Sequence, residues 1–257
     1  MSRWILTHAR PAFWLWTTPA LALLVWYAAG SEGEGLTAAY ALFVLWEAAG
    51  FWGINGFLCG RARRPAFRAL DEYCDPEPLL ALCRMVLEQN PRSLFYRVFE
   101  GYALALLGRR EEAEASARLA AEQPRLWKSP PLLAVWLTQL PPEDPERERG
   151  EQALERLGRR LSPQKRAVLD RARTARERSA QLQEAPPELE PLLLADLEGA
   201  GCTREQVAAH MALGIYYQRR GLEARAQEHL SFVAARGGRL AVRTEAERLL
   251  CRLPETR

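Results

Sequence analysis

Two long apolar stretches crowd the start of the chain, before Gly60, and constrain it more than anything that follows them. Ala12 to Ala29 runs without a charge, and Leu36 to Cys59 carries Glu47 as its one charge. As helices they would be about 27 and about 36 Å long, enough to cross a hydrocarbon core of roughly 30 Å. Six of the eight tryptophans lie before Gly60. Trp4, Trp14, Trp26 with Tyr27, and Tyr40 fall near the ends of the stretches, where amphipathic rings favour a membrane interface. A cleaved signal peptide followed by a core helix is the competing arrangement. No small-residue cleavage site follows the first stretch, and its Trp- and Pro-containing composition suits a signal core poorly. The expectation is a two-span transmembrane hairpin over residues 1–60 and a separate domain over 61–257.

Flanking charge orients that hairpin. Arg3 and Arg10 precede the first span, Glu32 and Glu34 sit in the connection GSEGEG, and Arg61, Arg63, Arg64 and Arg68 follow the second. Basic residues beside short spans stay on the cytoplasmic side, which puts both termini inside the cell membrane and the turn outside. Cysteine usage agrees. Cys59, Cys74, Cys83, Cys202 and Cys251 are odd in number and irregularly spaced, as expected where thiols stay reduced.

Past Gly60 the chain holds 33 basic and 29 acidic side chains, a surplus too small to mark a nucleic-acid protein. Apolar residues recur there at helical spacing between Pro- and Gly-marked breaks, and alternating strand-like runs are absent. The fold class expected is all-α. Helices are predicted at Pro78–Gln89, Leu94–Leu107, Arg110–Glu122, Pro131–Leu140, Glu146–Leu161, Pro163–Gln183, Glu188–Glu198, Thr203–Arg220, Leu222–Arg236 and Arg239–Leu253. Thr203 reads as an N-cap, and Pro131 and Pro163 suit first-turn positions.

Two segments share a pattern of small residues. Gly101, Gly108 and Ala113 have the same spacing as Gly214, Gly221 and Ala226 further along the chain. The pattern resembles the tetratricopeptide repeat, a helix-turn-helix unit of about 34 residues that stacks into an α-solenoid. The resemblance implies that Gly101 and Gly214 sit where the paired helices approach closest, Ala113 and Ala226 are their partners, and Gly108 and Gly221 make the turns. Ala120 and Pro124 extend the match in the first unit, and Leu213 and Tyr217 in the second. In such proteins the first helix of each unit lines a concave face that receives a peptide or a helix. Carried over by spacing, that face holds Phe95, Val98, Tyr102, Ala105 and Leu106 in the first unit, and Ala208, Met211, Ile215, Gln218 and Arg219 in the second. The alternative for these side chains is core between adjacent helices. The basic residues with which family members clamp a terminal carboxylate are missing from the first set, so an apolar occupant fits better.

Other chemistry is sparse. Glu47 costs about 3 kcal/mol inside a bilayer, a penalty the nine large aliphatic or Phe residues of its span offset, and it is expected roughly level with Thr17 and Thr18, either as a polar contact within or between hairpins or as a neutral carboxyl hydrogen-bonded locally. Ala49, Gly53, Gly56 and Gly60 form a small-residue stripe suited to close helix packing. From Arg156 to Arg178 nine basic residues stand against only Asp170 and Glu177, a run read first as a solvated helix face and otherwise as a surface for anionic lipid; no interleaved aromatics suggest nucleic acid. His8, His210 and His229 make no ligand pair at one-turn spacing, and no cysteine pair suggests zinc. The glycines of Gly30, Gly33 and Gly35 imitate a phosphate loop, but two glutamates sit among them. No catalytic constellation, cofactor or metal site is expected. The reading is a membrane-anchored adaptor binding a protein or peptide. Its alternatives are an accessory subunit of a membrane enzyme or transporter using Glu47, and a basic lipid- or nucleic-acid-binding module.

Overall fold

The computed structural model describes residues 2–30, 35–141, 144–159 and 161–253. Among these every regular element is helical, and the chain divides into two compact units, Met1–Pro65 and Ala66–Arg257.

In the first unit α1 (Ser2–Gly30) packs against α2 (Leu36–Phe51). Among the described residues one helix is long and apolar enough to cross a membrane, through Phe13–Gly30, whereas α2 has only 16 residues. The second apolar stretch, Leu36 to Cys59, does not form one regular α-helix. It passes at Trp52 into a π-helical segment, Trp52–Leu58, and then into α3 (Cys59–Tyr73). Gly53 in this wide turn carries no Cβ to crowd it, and a Cβ added there would meet nothing within 4 Å. Gly53 and Gly60 face open space, while Gly50 is buried beneath Trp16, whose indole a Cβ added there would strike. Ser31, Glu32 and Glu34 lie outside the described residues.

Helix α3 runs through Pro65 to Tyr73. Ala66, Leu70 and Cys74 recur at one-turn spacing and are all buried, so a continuous apolar stripe outweighs the single backbone N–H that proline lacks. Ten further helices follow: α4 (Glu77–Gln89), α5 (Leu94–Leu106), α6 (Arg110–Ala121), α7 (Pro130–Leu137), α8 (Pro145–Gly158), α9 (Pro163–Gln181), α10 (Leu189–Glu198), α11 (Thr203–Arg219), α12 (Glu223–Arg236) and α13 (Ala241–Leu250). Prolines open α7, α8 and α9 where a missing N–H costs nothing. Helix α7 stops short of the predicted Leu140, because Thr138 and Gln139 turn to three-residue hydrogen bonds before Pro141. The N-cap of α11 is Cys202 rather than Thr203, and Glu205 reaches back to accept from the Gly201 N–H at 2.8 Å.

The two segments that share a glycine pattern fold alike. In the α5–α6 turn Gly108 has φ +76°, Arg109 N–H donates to Leu104 O at 2.9 Å and Gly108 N–H to Ala105 O at 3.0 Å. In the α11–α12 turn Gly221 has φ +68°, with the equivalent bonds from Leu222 to Tyr217 at 2.9 Å and from Gly221 to Gln218 at 3.1 Å. Both are left-handed C-caps that close a helix through a six-to-one bond. Their tight packing differs in detail. A Cβ on Gly214 would meet the Leu230 side chain at 2.7 Å rather than Ala226, and one on Gly101 would strike Gln139 Oε1 and stand 3.3 Å from the Ala113 carbonyl. Ala113 and Ala226 are both buried.

These hairpins are not held apart as in an open array of stacked units. Arg204 at the start of α11 bonds to Asp71 of α3 and Tyr102 of α5. Arg239 N–H donates to Cys74 O at 3.0 Å, and a Cβ on Gly108 would stand 3.0 Å from that of Ala241. The start of α11, the α12–α13 connection and the start of α13 thus meet α3, α5 and the α5–α6 turn. Between the hairpins, a core of Val98, Ala117, Leu126, Leu133, Trp136 and Leu154 joins α5 to α8, with the Trp136 indole donating to Ala117 O at 2.9 Å. A second core gathers Leu189, Leu193, Leu213, Tyr216 and Ala226.

Candidate functional site

The described residues bring polar and aromatic side chains together in each unit. In the first, Trp16 and Trp46 stack with ring centroids 4.3 Å apart, each indole donating to the other residue's carbonyl at 3.1 and 3.2 Å. One residue further on, Thr17 Oγ1 donates to Glu47 Oε2 at 2.8 Å. Thr18 does not join them and turns back to Trp14 O. The other oxygen, Glu47 Oε1, is buried without a hydrogen bond.

In the second unit four aromatic rings line one side of α5 and α3. Phe95 and Phe99 lie 4.6 Å apart by ring centroid, Phe67 meets Phe99 edge to face at 5.2 Å, and Tyr102 meets it edge to face at 6.2 Å. Spacings of four and three residues put Phe95, Phe99, Tyr102 and Leu106 on one helical stripe. All four, and Phe67, are half-buried. The stripe ends on charge: Arg204 donates from Nη1 to the Tyr102 hydroxyl at 3.2 Å and from Nε to Asp71 Oδ1 at 2.9 Å. Burial holds the Tyr102 phenol above the usual tyrosine range, against the opposing pull of Arg204. Tyr102 therefore stays neutral and accepts the guanidinium bond.

The structure redistributes the residues expected on a concave face. Val98 is fully buried in the core and its carbonyl accepts from Gln139 Nε2 at 2.8 Å, so Phe99 takes the place expected for it. Met211 is buried and Ile215 half-buried, whereas Arg219 is exposed. What α11 contributes to the aromatic stripe is Arg204, about two turns before Met211, which no spacing argument selected.

Of the basic run, the side chains of Arg160, Lys165, Arg171 and Arg176 lie outside the described residues. In the basic run, Arg166 donates to the carbonyls of Gly158 and Arg159, and Arg159, Arg173 and Arg178 pair with Glu155, Glu177 and Asp196. Arg159, Arg166 and Arg173 border an open cleft of about 720 Å³ between α8 and α9, lined by charges of both signs. All five cysteines are free, with Cys59, Cys74 and Cys83 buried, and burial pushes the Cys74 and Cys83 thiols up. No group of three or more metal-ligating side chains occurs among the described residues. No protein-family model, curated protein or solved structure matches the chain.

Proposed function

We propose that the protein is a membrane-tethered adaptor. Residues 1–60 form a two-span hairpin with the GSEGEG turn outside, and residues 61–257 a cytoplasmic domain of tetratricopeptide-like hairpins that captures a protein or peptide. The anchor reading is supported by apolar side chains that the first unit leaves open, among them Leu15, Leu23, Trp26, Leu42 and Trp52, each more than 60 % exposed. In water such a surface is a liability; in lipid it is solvated. The repeat reading is supported by the matching turns at Gly108 and Gly221.

What carries the binding reading is the run of half-buried rings Phe67, Phe95, Phe99 and Tyr102, which ends at Arg204. Aromatic rings held rigid by one another present apolar area at little entropic cost, and truncating such anchors dominates the energetics of many interfaces. An apolar helix or extended segment suits the stripe. Partners are to be recovered by mild crosslinking in native membranes followed by purification. Phe99→Leu keeps most of the volume and costs the fold less than about 1.5 kcal/mol. It is expected to reduce recovery about tenfold, the loss that goes with about 1.4 kcal/mol of binding. Full recovery by a Phe67→Leu, Phe99→Leu double variant with native melting would place the binding surface elsewhere.

A second reading, an accessory subunit that meets a membrane enzyme or transporter through Glu47, draws on the unpartnered Oε1 of that residue. A buried acceptor without a donor is costly, and a neighbouring subunit could supply one.

A further inference from the structure

His210 on α11 and His229 on α12 set their Nδ1 atoms 2.8 Å apart, with ring centroids 5.0 Å apart. Two bare lone pairs at that separation repel, and two N–H groups collide. Only an arrangement with a single proton between the nitrogens satisfies both, one ring donating and the other accepting. A neutral pair meets this condition, as does a pair carrying one positive charge. Two imidazolium rings do not.

The surroundings leave little room to rearrange. His210 stacks on Phe232 with centroids 3.9 Å apart, and His229 lies parallel to Tyr217 at 5.4 Å. Burial lowers the proton affinity of His210, with the charge of His229 acting in the same direction. For His229 burial is again the main cause, with Glu228 opposing it and Arg225 adding to it. Most other charged groups on the helices packed around the pair are held by partners of their own. Glu190 of α10 accepts from Tyr217 Oη at 2.7 Å and from Arg225 at 3.1 Å. On α13, Arg243 pairs with Glu247 and Arg248 with Glu245. On α11, Arg204 is held by Asp71 and lies 3.8 Å from Glu205, and Arg219 is exposed at the far end. Glu228, exposed on α12, is the carboxylate that acts on both rings.

We propose that the His210–His229 pair is an acid-released latch on the α11–α12 hairpin, closed by one shared proton, opened when both rings are charged, and coupled through α11 to the Arg204 contact with Tyr102. His210 lies six residues beyond Arg204, about 9 Å along the same helix. Loosening α11 therefore disturbs the charged end of the aromatic stripe, and acid weakens whatever that stripe holds. The coupling to binding rests on the stripe being the capture surface; the latch itself does not. The sign follows from the lowered proton affinities. Above the ordinary imidazole range near 6.5 both states of the chain are neutral at these rings and the hairpin has its full stability. As pH falls below that value the unfolded chain takes up protons first, stability drops, and the loss levels off below the folded-state midpoints.

Imidazole nitrogen NMR on the full-length protein in lipid nanodiscs tests the latch without a variant. At pH 8 a scalar coupling between the two Nδ1 nuclei across the shared proton is expected, with titration in two separated steps on acidification. In His229→Gln the midpoint of His210 is expected to move toward the ordinary value. Hydrogen exchange of α11 and α12 amides, corrected for intrinsic rates, is expected to speed up at least tenfold between pH 7.5 and pH 5 in the wild type and not in the variant, while α5 and α6 stay unchanged. Absence of the coupling together with independent titration of the two rings overturns the latch. A coupled pair whose acid opening leaves the amides of residues 206–208, the first of α11 with backbone acceptors, protected keeps the latch and overturns its link to Arg204. Acid opening that reaches those amides yet leaves crosslinked partner recovery unchanged contradicts the binding surface and not the latch.

Discussion

Replacing Tyr102 with arginine is expected to destabilise the second unit by about 3 kcal/mol or more, the scale of a buried charge left without a partner. In a unit of this size that corresponds to a fall in melting midpoint of roughly 6–12 °C. The phenol of Tyr102 is neutral, half-buried and accepts a hydrogen bond from Arg204. A second guanidinium there would remove that acceptor and put like charge against like, beside an Arg204 already paired with Asp71 and Glu205. Tyr102→Phe separates the two contributions, because it keeps the ring and removes only the hydroxyl, at a cost of about 1 kcal/mol. Native melting for Tyr102→Arg, read by circular dichroism on the detergent-solubilised protein, would mean that Tyr102 stands free of Arg204 in solution.

Enlarging the small residue on the second helix of either matching hairpin is expected to cost about 1–3 kcal/mol per site, since overpacking forces neighbouring side chains off their rotamers. Ala113 and Ala226 are almost completely buried, at 1 % and 0 % exposure. Ala113→Leu would press on α5 at Gly101, where a built Cβ already stands 3.3 Å from the Ala113 carbonyl. Ala226→Leu would enter the core of Leu189, Leu213 and Tyr217. Chemical denaturation of both variants measures the effect. Neutral results at both positions would remove the physical basis for treating the two hairpins as one kind of unit.

Local physics was legible in this sequence and distant meetings were not. The helices from α4 onward start and stop within three residues of where proline, glycine and apolar spacing put them, and the two left-handed turns sit on the glycines the shared pattern selected. Helical spacing located the stripe on α5 but not its centre. Val98 and Phe99 are neighbours in sequence, and the packing of Gln139 against the Val98 carbonyl decides which of them faces inward. Arg204 and Asp71 are 133 residues apart, and no local signal joins them. The histidine pair was within reach. At the offset that carries Gly101 onto Gly214, His210 and His229 correspond to Arg97 and Ser116, which also meet across their hairpin, Ser116 Oγ donating to Arg97 O at 3.0 Å.

Everything proposed for the binding surface depends on its being presented to the cytoplasm from a membrane hairpin, and topology can be read in intact cells. Ser31, in the turn between the two apolar stretches, is changed to cysteine and exposed to a membrane-impermeant thiol reagent, with the free and exposed Cys251 as the reporter for the second unit. The account predicts that Ser31→Cys labels in intact cells and that Cys251 labels only after permeabilisation. Labelling of Cys251 in intact cells with protection of Ser31→Cys would contradict it.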